Sequence, residues 1–201
     1  MNKGALFIIS GPSGTGKGTV CKELISRGDV YLSVSATTRD KRVGETDGET
    51  YHFTDKASFE RMISNGEMLE WANYNGNYYG TPKAAVEKTL FEGRNVILEI
   101  EPQGALAVKE KMPEAVLIFV IPPSVEVLKG RLLDRGRESE EEISQRLAAS
   151  IWEMEQAGKY NYIVENDDLS DCVDRISAIM AGVVDMRNKV YSLLEEAKER
   201  K

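Results

Sequence analysis

The chain has few of the side chains on which thiol, histidine or metal chemistry depends. Among its 201 residues there are two cysteines, Cys21 and Cys172, and a single histidine, His52. One histidine argues strongly against a zinc site or a histidine-based catalytic triad. Two isolated cysteines are typical of reduced, packed thiols rather than of a disulfide or a metal centre.

The chain also lacks long apolar runs and clusters of basic residues. No apolar stretch approaches the ~20 residues that cross a bilayer, and Met1-Asn2-Lys3 leads straight into the first predicted strand. The formal net charge is -7, with lysine and arginine dispersed along the chain. We therefore expect a cytoplasmic protein that binds neither membranes nor nucleic acids and holds any bound anion at a local site. The sequence is also compatible with a homo-oligomer.

One such local site is visible at residues 11–18, which read Gly-Pro-Ser-Gly-Thr-Gly-Lys-Gly. An apolar run precedes them and a helical pattern follows, so a strand, a glycine-rich turn and a helix come in the order of a phosphate-binding loop. Glycines permit the backbone conformations that aim several N–H groups at one anion. The helix N-terminus and the lysine add positive charge toward the β and γ phosphates of a nucleoside triphosphate. The predicted nucleotide-binding residues of this loop are Gly11, Pro12, Ser13, Gly14, Thr15, Gly16, Lys17, Gly18 and Thr19.

One position of this loop departs from the usual pattern. Gly18 stands where a serine or threonine would normally give its hydroxyl to Mg²⁺, and Thr19 is the nearest hydroxyl. We therefore expect Mg²⁺ to be held mainly through phosphates and water, and we predict no metal-binding side chain.

Apolar runs and helical patterns alternate along the chain and predict an α/β fold. Short, nearly continuous apolar runs at 5–9, 96–100 and 116–121 are typical of parallel strands covered on both faces. A final strand is predicted at 162–164, a helix from about 17 to 28, and a long helix from 169 to about 196. The pattern predicts a central parallel sheet flanked by helices.

Two stretches interrupt this alternation. Residues 35–93 are polar and rich in aromatic side chains, and they predict a separate lobe with two helices. One helix runs from Asp55, its cap, to 65–66, and another begins at Thr81-Pro82 with the threonine as its cap. The second interruption runs from Arg131 to Arg146, where three arginines surround a glycine turn and Ser139 opens a helix with a capping box.

A cationic segment in the predicted lobe offers a second anion site. The segment 35–42 places Ser35, Arg39 and Arg42 just after a strand end, where ligand sites of open α/β sheets are commonly found. The two arginines can hold phosphate oxygens with paired N–H groups, and Tyr51 can add a hydroxyl. The alternative is a solvated basic loop without a ligand.

Over nearly its whole length the sequence resembles the guanylate kinase family. The motifs that carry the resemblance are Gly-Pro-Ser-Gly-x-Gly-Lys at 11–17, Ser-x-Thr-Thr-Arg at 35–39, Gly-x-x-Tyr at 48–51 and Gly-Asn-Tyr-Tyr-Gly-Thr at 76–81. Matching segments follow at 96–104, at 122–124, from 131 and at 166–168. The departures are Glu99 and Glu101, where the family often has aspartate, and Glu165, where an apolar residue is common.

The resemblance implies ATP-dependent phosphorylation of GMP to GDP, and of dGMP to dGDP, with Mg²⁺ as the cofactor. It implies a P-loop NTPase-type core at 1–34, 94–128 and 150–201, with a GMP-binding lobe at 35–93 and a short lid at 129–149. The implied catalytic residues are Lys17, Arg39, Arg131, Arg135 and Arg146, and Asn166 would contact adenine. The implied GMP-binding residues are Ser35, Arg39, Arg42, Tyr51, Glu70, Tyr79, Thr81, Glu99 and Glu101. For the arginines of the lid, helix-surface pairing with nearby glutamates is the alternative.

The proposed chemistry is also consistent with the residue types alone. A nucleoside monophosphate has a second phosphate pKa of about 6 and already carries an anionic oxygen, so no catalytic base is needed. Phosphoryl transfer then requires in-line positioning and positive charge. Glu99 and Glu101 share one face of a strand end and can orient Mg²⁺-bound water or the guanine edge. The alternative is that one of the two caps a helix.

Recognition of the base is predicted to depend on Glu70. Guanine presents two adjacent N–H donors, which one carboxylate can accept with both oxygens, whereas adenine offers a lone pair at N1. Ser35 and Thr81 can address guanine O6, and Tyr79 the phosphate or the ring. The alternative for Glu70 is a surface charge at a helix end.

Two other functions stay open at the level of sequence. One is a catalytically inactive guanylate-kinase-like module that binds a protein partner, and the other is a nucleoside monophosphate kinase for a different base. An inactive module has no need of Lys17 and the loop glycines, while a different base would not need Glu70.

Overall fold

The computed structural model describes residues 3–28, 30–133 and 140–199. The strands are β1 (Leu6–Ser10), β2 (Val30–Leu32), β3 (Ala36–Thr37), β4 (His52–Phe53), β5 (Met68–Tyr74), β6 (Asn77–Pro82), β7 (Asn95–Glu99), β8 (Val116–Ile121) and β9 (Tyr162–Glu165). The helices are α1 (Lys17–Arg27), α2 (Lys56–Ser64), α3 (Lys83–Phe91), α4 (Pro102–Lys111), α5 (Val125–Leu133), α6 (Glu140–Glu155) and α7 (Leu169–Glu199), and a 3₁₀ turn spans Gln156–Lys159.

Five strands form a parallel sheet in the order β2-β7-β1-β8-β9. The central strand β1 alternates its side chains between two hydrophobic clusters, as a strand must. Phe7 and Ile9 face the side covered by α1 and α7, while Leu6 and Ile8 face the side covered by α3 and α4. Burying each of these large side chains stabilises the fold by about 1.5–3 kcal/mol. The predicted parallel sheet with helices on both faces is confirmed.

The predicted polar lobe contains a second sheet, which the sequence did not suggest. Its order is β4-β3-β6-β5, with β6 antiparallel to both β3 and β5. The predicted helix after Asp55 is confirmed, because the Asp55 carboxylate accepts the N–H of Ser58 at 2.9 Å. The prediction that Thr81 caps the next helix is wrong. Thr81 lies within β6, and α3 begins after Pro82 without a side-chain cap.

Both cysteines are free and buried, as expected of packed thiols. Two of the predicted residues lie outside the described part of the chain: Arg135 of the arginine turn and Ser139, the predicted helix cap. No helix in the described part of the chain has the length and apolar character that crossing a bilayer requires.

Candidate active site

The glycine-rich loop connects the buried strand β1 to helix α1. Gly11, Gly14 and Gly16 have φ values of 144°, 89° and 87°, which side-chain-bearing residues rarely adopt. At Gly11 a Cβ atom would also lie 2.2 Å from the Val120 carbonyl oxygen of β8. Glycine is therefore required here both by the backbone conformation and by the close approach of the neighbouring strand.

Lys17, the first residue of α1, folds back over this loop. Its side chain is buried, with 8% exposure. The Nζ atom donates to the carbonyl of Gly11 and, at 3.0 Å, to that of Pro12, and it lies 3.9 Å from Oε1 of Glu101. The ammonium group is thus held at the mouth of the loop, where the phosphates of a nucleotide would lie.

Asn166, at the end of β9, fastens the loop from the opposite side. Its buried side-chain amide donates to the Thr15 carbonyl at 2.7 Å, and a Cβ at Gly16 would lie 2.6 Å from Nδ2. The backbone carbonyl of Asn166 accepts Nη2 of Arg131 at 3.0 Å. In this structure Asn166 therefore supports the loop, and the predicted contact of Asn166 with adenine stays a prediction.

A cleft of about 190 Å³ lies between the loop and the polar lobe. Its walls include Lys17 from the loop, Ser35 and Tyr51 from the lobe, and Glu99 and Glu101 from the end of β7. These five residues were predicted from separate stretches of sequence. The fold brings them to one cavity, as expected where strand ends of an open α/β sheet meet.

Arg39 is held by a carboxylate that the sequence reading did not single out. Its Nη1 and Nη2 atoms donate to Oε2 and Oε1 of Glu45 at 2.9 and 2.7 Å, and its guanidinium lies 5.5 Å from the centre of the Tyr51 ring. The hydrogen bonds from Arg39 lower the pKa of Glu45 to about 2. Arg42 is exposed, but its backbone N–H also donates to Glu45, at 2.7 Å.

The ring of Tyr79 lies edge-on to that of Tyr51, with the ring centres 6.0 Å apart. Burial is the main reason why the pKa of Tyr51 is raised, so its hydroxyl keeps its proton and can donate a hydrogen bond. The hydrogen bonds to Glu45 are the main reason why the pKa of Arg39 is raised, and Tyr79 adds to this effect. The predicted phosphate-binding groups of the lobe are therefore neighbours.

Glu70 lies on β5 and is buried, with 7% exposure. Its Oε1 accepts the hydroxyl of Thr81 at 2.6 Å, and burial raises its pKa. The other oxygen, Oε2, faces α4, where a Cβ at Gly104 would lie only 2.8 Å away. The alternative reading of Glu70 as a surface charge is therefore wrong.

Glu101 lies 3.9 Å from Lys17, and the charge of Lys17 also acts on Glu99 and Glu153, where it partly opposes the raised pKa of each. Burial raises the pKa of Glu99, whose Oε1 would lie 3.4 Å from a Cβ at Gly18. Glu153 of α6 was not predicted, because it lies inside an ordinary helical pattern. Burial, followed by the negative charge of Glu101, raises its pKa to about 7. Within the described ranges, no three His, Cys, Asp or Glu side chains are grouped closely enough to hold a metal ion.

The predicted arginines of the lid occupy different surroundings. Arg131 is half-buried and bound to the backbone at the end of β9 rather than to a helix-surface glutamate. Arg146 lies half-buried on α6, and Arg135 lies outside the described residues. Their convergence on a bound nucleotide stays a prediction.

The parallel sheet, the glycine-rich loop and the buried lysine together define a nucleotide-binding protein of the P-loop class. The family model for guanylate kinase matches residues 3–182. A guanylate kinase of Clostridium perfringens (strain SM101 / Type A) is 50% identical over 199 residues, covering 98% of this chain and 92% of the relative. One of Caldanaerobacter subterraneus subsp. tengcongensis is 50% identical over 198 residues and 96% of both chains.

The fold agrees with these sequence relationships. The crystal structure of guanylate kinase from Anaplasma phagocytophilum superposes with a TM-score of 0.75 at 34% identity, over 90% of this chain and 86% of that one. The chain belongs to the guanylate kinase family, and the resemblance drawn from its motifs is confirmed.

Proposed function

We propose that the chain transfers the γ-phosphoryl group of ATP to GMP in the cleft between the loop and the lobe. The observation that carries this proposal is the composition of that cleft. Lys17 of a triphosphate-binding loop and Tyr51 of an arginine-containing anion site line the same cavity. A donor and an acceptor phosphate can therefore meet there without crossing a large distance.

On the donor side, Lys17 and the backbone N–H groups of the loop bind the β and γ phosphates. The lysine is already held at the loop by two carbonyl oxygens, so part of its positioning precedes ligand binding. Asn166 contacts the adenine of ATP. The arginines of the lid contact the transferred phosphoryl group; they are Arg131, Arg135 and Arg146. Positive charge at the migrating phosphoryl group is the main catalytic requirement.

On the acceptor side, Arg39, Arg42, Tyr51 and Tyr79 bind the phosphate of GMP. Tyr51 and Tyr79 lie close to the Arg39 guanidinium, so the three side chains form a compact anion site. The phosphate oxygen of GMP attacks directly, because it is already ionised at neutral pH. No group of the protein needs to remove a proton.

On the base side, Glu70 accepts the two adjacent N–H donors of guanine, and Ser35 lies toward O6. The hydroxyl of Thr81 is donated to Glu70, so we assign to Thr81 the role of orienting that carboxylate. Adenine would place its N1 lone pair against a buried anion. A buried polar site of this kind rejects a base without matching donors by about 10⁴–10⁵.

Mg²⁺ fits the chemistry of the loop surroundings, because Glu99 and Glu101 supply carboxylate oxygens beside Lys17 and Gly18. We propose that these two carboxylates accept hydrogen bonds from water bound to the ion. When bound, Mg²⁺ neutralises charge on the β and γ phosphates.

A coupled assay that follows ADP release with ATP and each of GMP, dGMP, AMP, CMP and UMP tests the proposal. We expect turnover with GMP and dGMP and a rate lower by about 10⁴ with AMP. Faster turnover of another monophosphate would favour a kinase for that base. A complete lack of turnover would favour the inactive interaction module. Light scattering in the same buffer determines whether the chain forms a homo-oligomer.

A further inference from the structure

The Glu45 carboxylate makes contacts that reach both arginines of the acceptor site. Its two oxygens accept Nη1 and Nη2 of Arg39 at 2.9 and 2.7 Å, which is a bidentate pair. Oε2 also accepts the backbone N–H of Arg42 at 2.7 Å. One side chain thus fixes the guanidinium of the first arginine and the backbone of the second.

This pair differs from an ordinary surface ion pair. Exposed pairs are mobile and contribute little, but the side chains of Arg39 and Glu45 are only 12% and 16% exposed. The guanidinium also lies 5.5 and 5.7 Å from the ring centres of Tyr51 and Phe53. Aromatic rings on the guanidinium and a fork of two hydrogen bonds restrict the arginine to one orientation.

Glu45 occupies only one of the two guanidinium edges by which Arg39 can bind an oxyanion. A guanidinium can bind an oxyanion through Nη1 and Nη2 or through Nε and Nη2, and Glu45 takes the first of these. The carboxylate and a phosphate can therefore bind Arg39 at the same time.

We infer that Glu45 is a positioning residue that presents Arg39 and Arg42 to the phosphate of the acceptor nucleotide. It touches neither the phosphate nor the base and acts through the two arginines. The inference rests on the proposed function, because the acceptor phosphate is what the arginines bind. Its consequence is that Glu45 contributes to binding only when the ligand carries a phosphate.

The test compares GMP with guanosine, which has the same base and sugar but no phosphate. Calorimetry gives both affinities for the parent protein and for Glu45→Gln. The control is Glu87→Gln on α3, because Glu87 forms an ion pair with the exposed Lys83. We expect Glu45→Gln to weaken GMP binding about 10- to 100-fold and guanosine binding less than about twofold, while the control changes neither. In turnover, the KM for GMP should rise and kcat fall, with the KM for ATP unchanged.

Two further variants sharpen the result. Glu45→Asp, which keeps the charge on a shorter side chain, should recover part of the GMP affinity. In an Arg39→Lys background, where no bidentate pair can form, Glu45→Gln should weaken GMP binding by less than about threefold, because coupled residues are not additive.

Three outcomes would overturn the inference. Equal weakening of GMP and guanosine would mean that Glu45 only supports the folded lobe. Tighter GMP binding by Glu45→Gln would mean that the carboxylate competes with phosphate. An unchanged GMP affinity would mean that the pair has no role in binding. The proposed function fails separately, if the parent protein binds GMP no more tightly than guanosine.

Discussion

Replacing Glu70 by glutamine should separate base recognition from stability. The side chains have the same shape, and the amide oxygen of glutamine can keep the 2.6 Å hydrogen bond from Thr81. The amide nitrogen then occupies the position of Oε2, beside Gly104. A donor replaces the acceptor that guanine needs there, and one charge-assisted hydrogen bond is lost.

A lost hydrogen bond to a charged group costs about 1.5–3 kcal/mol, which corresponds to a rise of about 10- to 150-fold in the Kd for GMP. AMP no longer meets an anion, so its affinity should stay the same or improve. The ratio of kcat/KM values for GMP and AMP should therefore fall from about 10⁴ to below about 10³. The coupled assay with both monophosphates measures this ratio.

The same substitution should not weaken the fold at neutral pH. Burial raises the pKa of Glu70, so the folded chain holds a proton more tightly than the unfolded chain. The carboxyl therefore destabilises the fold above its folded pKa, and this cost disappears as pH falls below the unfolded value. Removing the charge should raise the Tm at pH 8, by about 2–4 °C if the gain is about 1 kcal/mol.

The control for both measurements is Glu67→Gln, on an exposed side chain of the same lobe, for which we expect neither change. The reasoning is refuted if Glu70→Gln discriminates against AMP as strongly as the parent does. It is also refuted if the variant loses its GMP preference only because its Tm has fallen.

Three other changes address the donor side. Lys17→Met should abolish turnover, with a loss of at least about 10³ in kcat, while calorimetry shows nearly unchanged GMP affinity; normal turnover would contradict the assignment of the loop. Gly16→Ala should raise the KM for ATP and lower the Tm by several degrees, because the added Cβ would lie 2.6 Å from Nδ2 of Asn166 and Gly16 has a positive φ. An unchanged Tm would show that the Asn166 side chain moves aside at little cost. The raised pKa of Glu153, about 7, means that stability contributed by its protonated form is lost as pH rises from about 4.5 to 7. Thermal unfolding of Glu153→Gln should show a smaller loss over this window than the parent, and parallel curves would exclude the effect.

The sequence predicted the central sheet well because its strands are continuous apolar runs. The run 116–121 coincides with β8, and the long final helix begins at Leu169 as expected. The small sheet of the lobe was missed because β3 and β4 have two residues each, and because the longer β5 and β6 are largely polar and aromatic and contain no continuous apolar run. Strands as short as β3 and β4 have no detectable periodicity, and they form because β6 pairs with β3 and β3 pairs with β4.

The site was predicted where a local motif fixes the chemistry, and missed where distant segments meet. The glycines of the loop and Lys17 were identifiable because the phosphate-binding pattern is contiguous. Glu45 and Glu153 were not identified, because their roles depend on contacts with Arg39 and with Glu101 that no spacing reveals. Thr81 was misread as a helix cap, since its position before a proline also suits that role.

The polar lobe contacts helix α4 through β5, the strand that carries Glu70. Lys111 of α4 donates to the Leu69 carbonyl at 2.5 Å, and Gly104 of the same helix lies against Glu70. The opposite end of the lobe, with Tyr51, borders the open cleft that Lys17 lines. If the lobe rotates about its contact with α4, the residues near Tyr51 move farther than Glu70 does, because they are farther from the axis of rotation. If Glu70 binds guanine as proposed, the base can bind while the cleft is still open, and a base that does not fit can dissociate before the two phosphates are aligned.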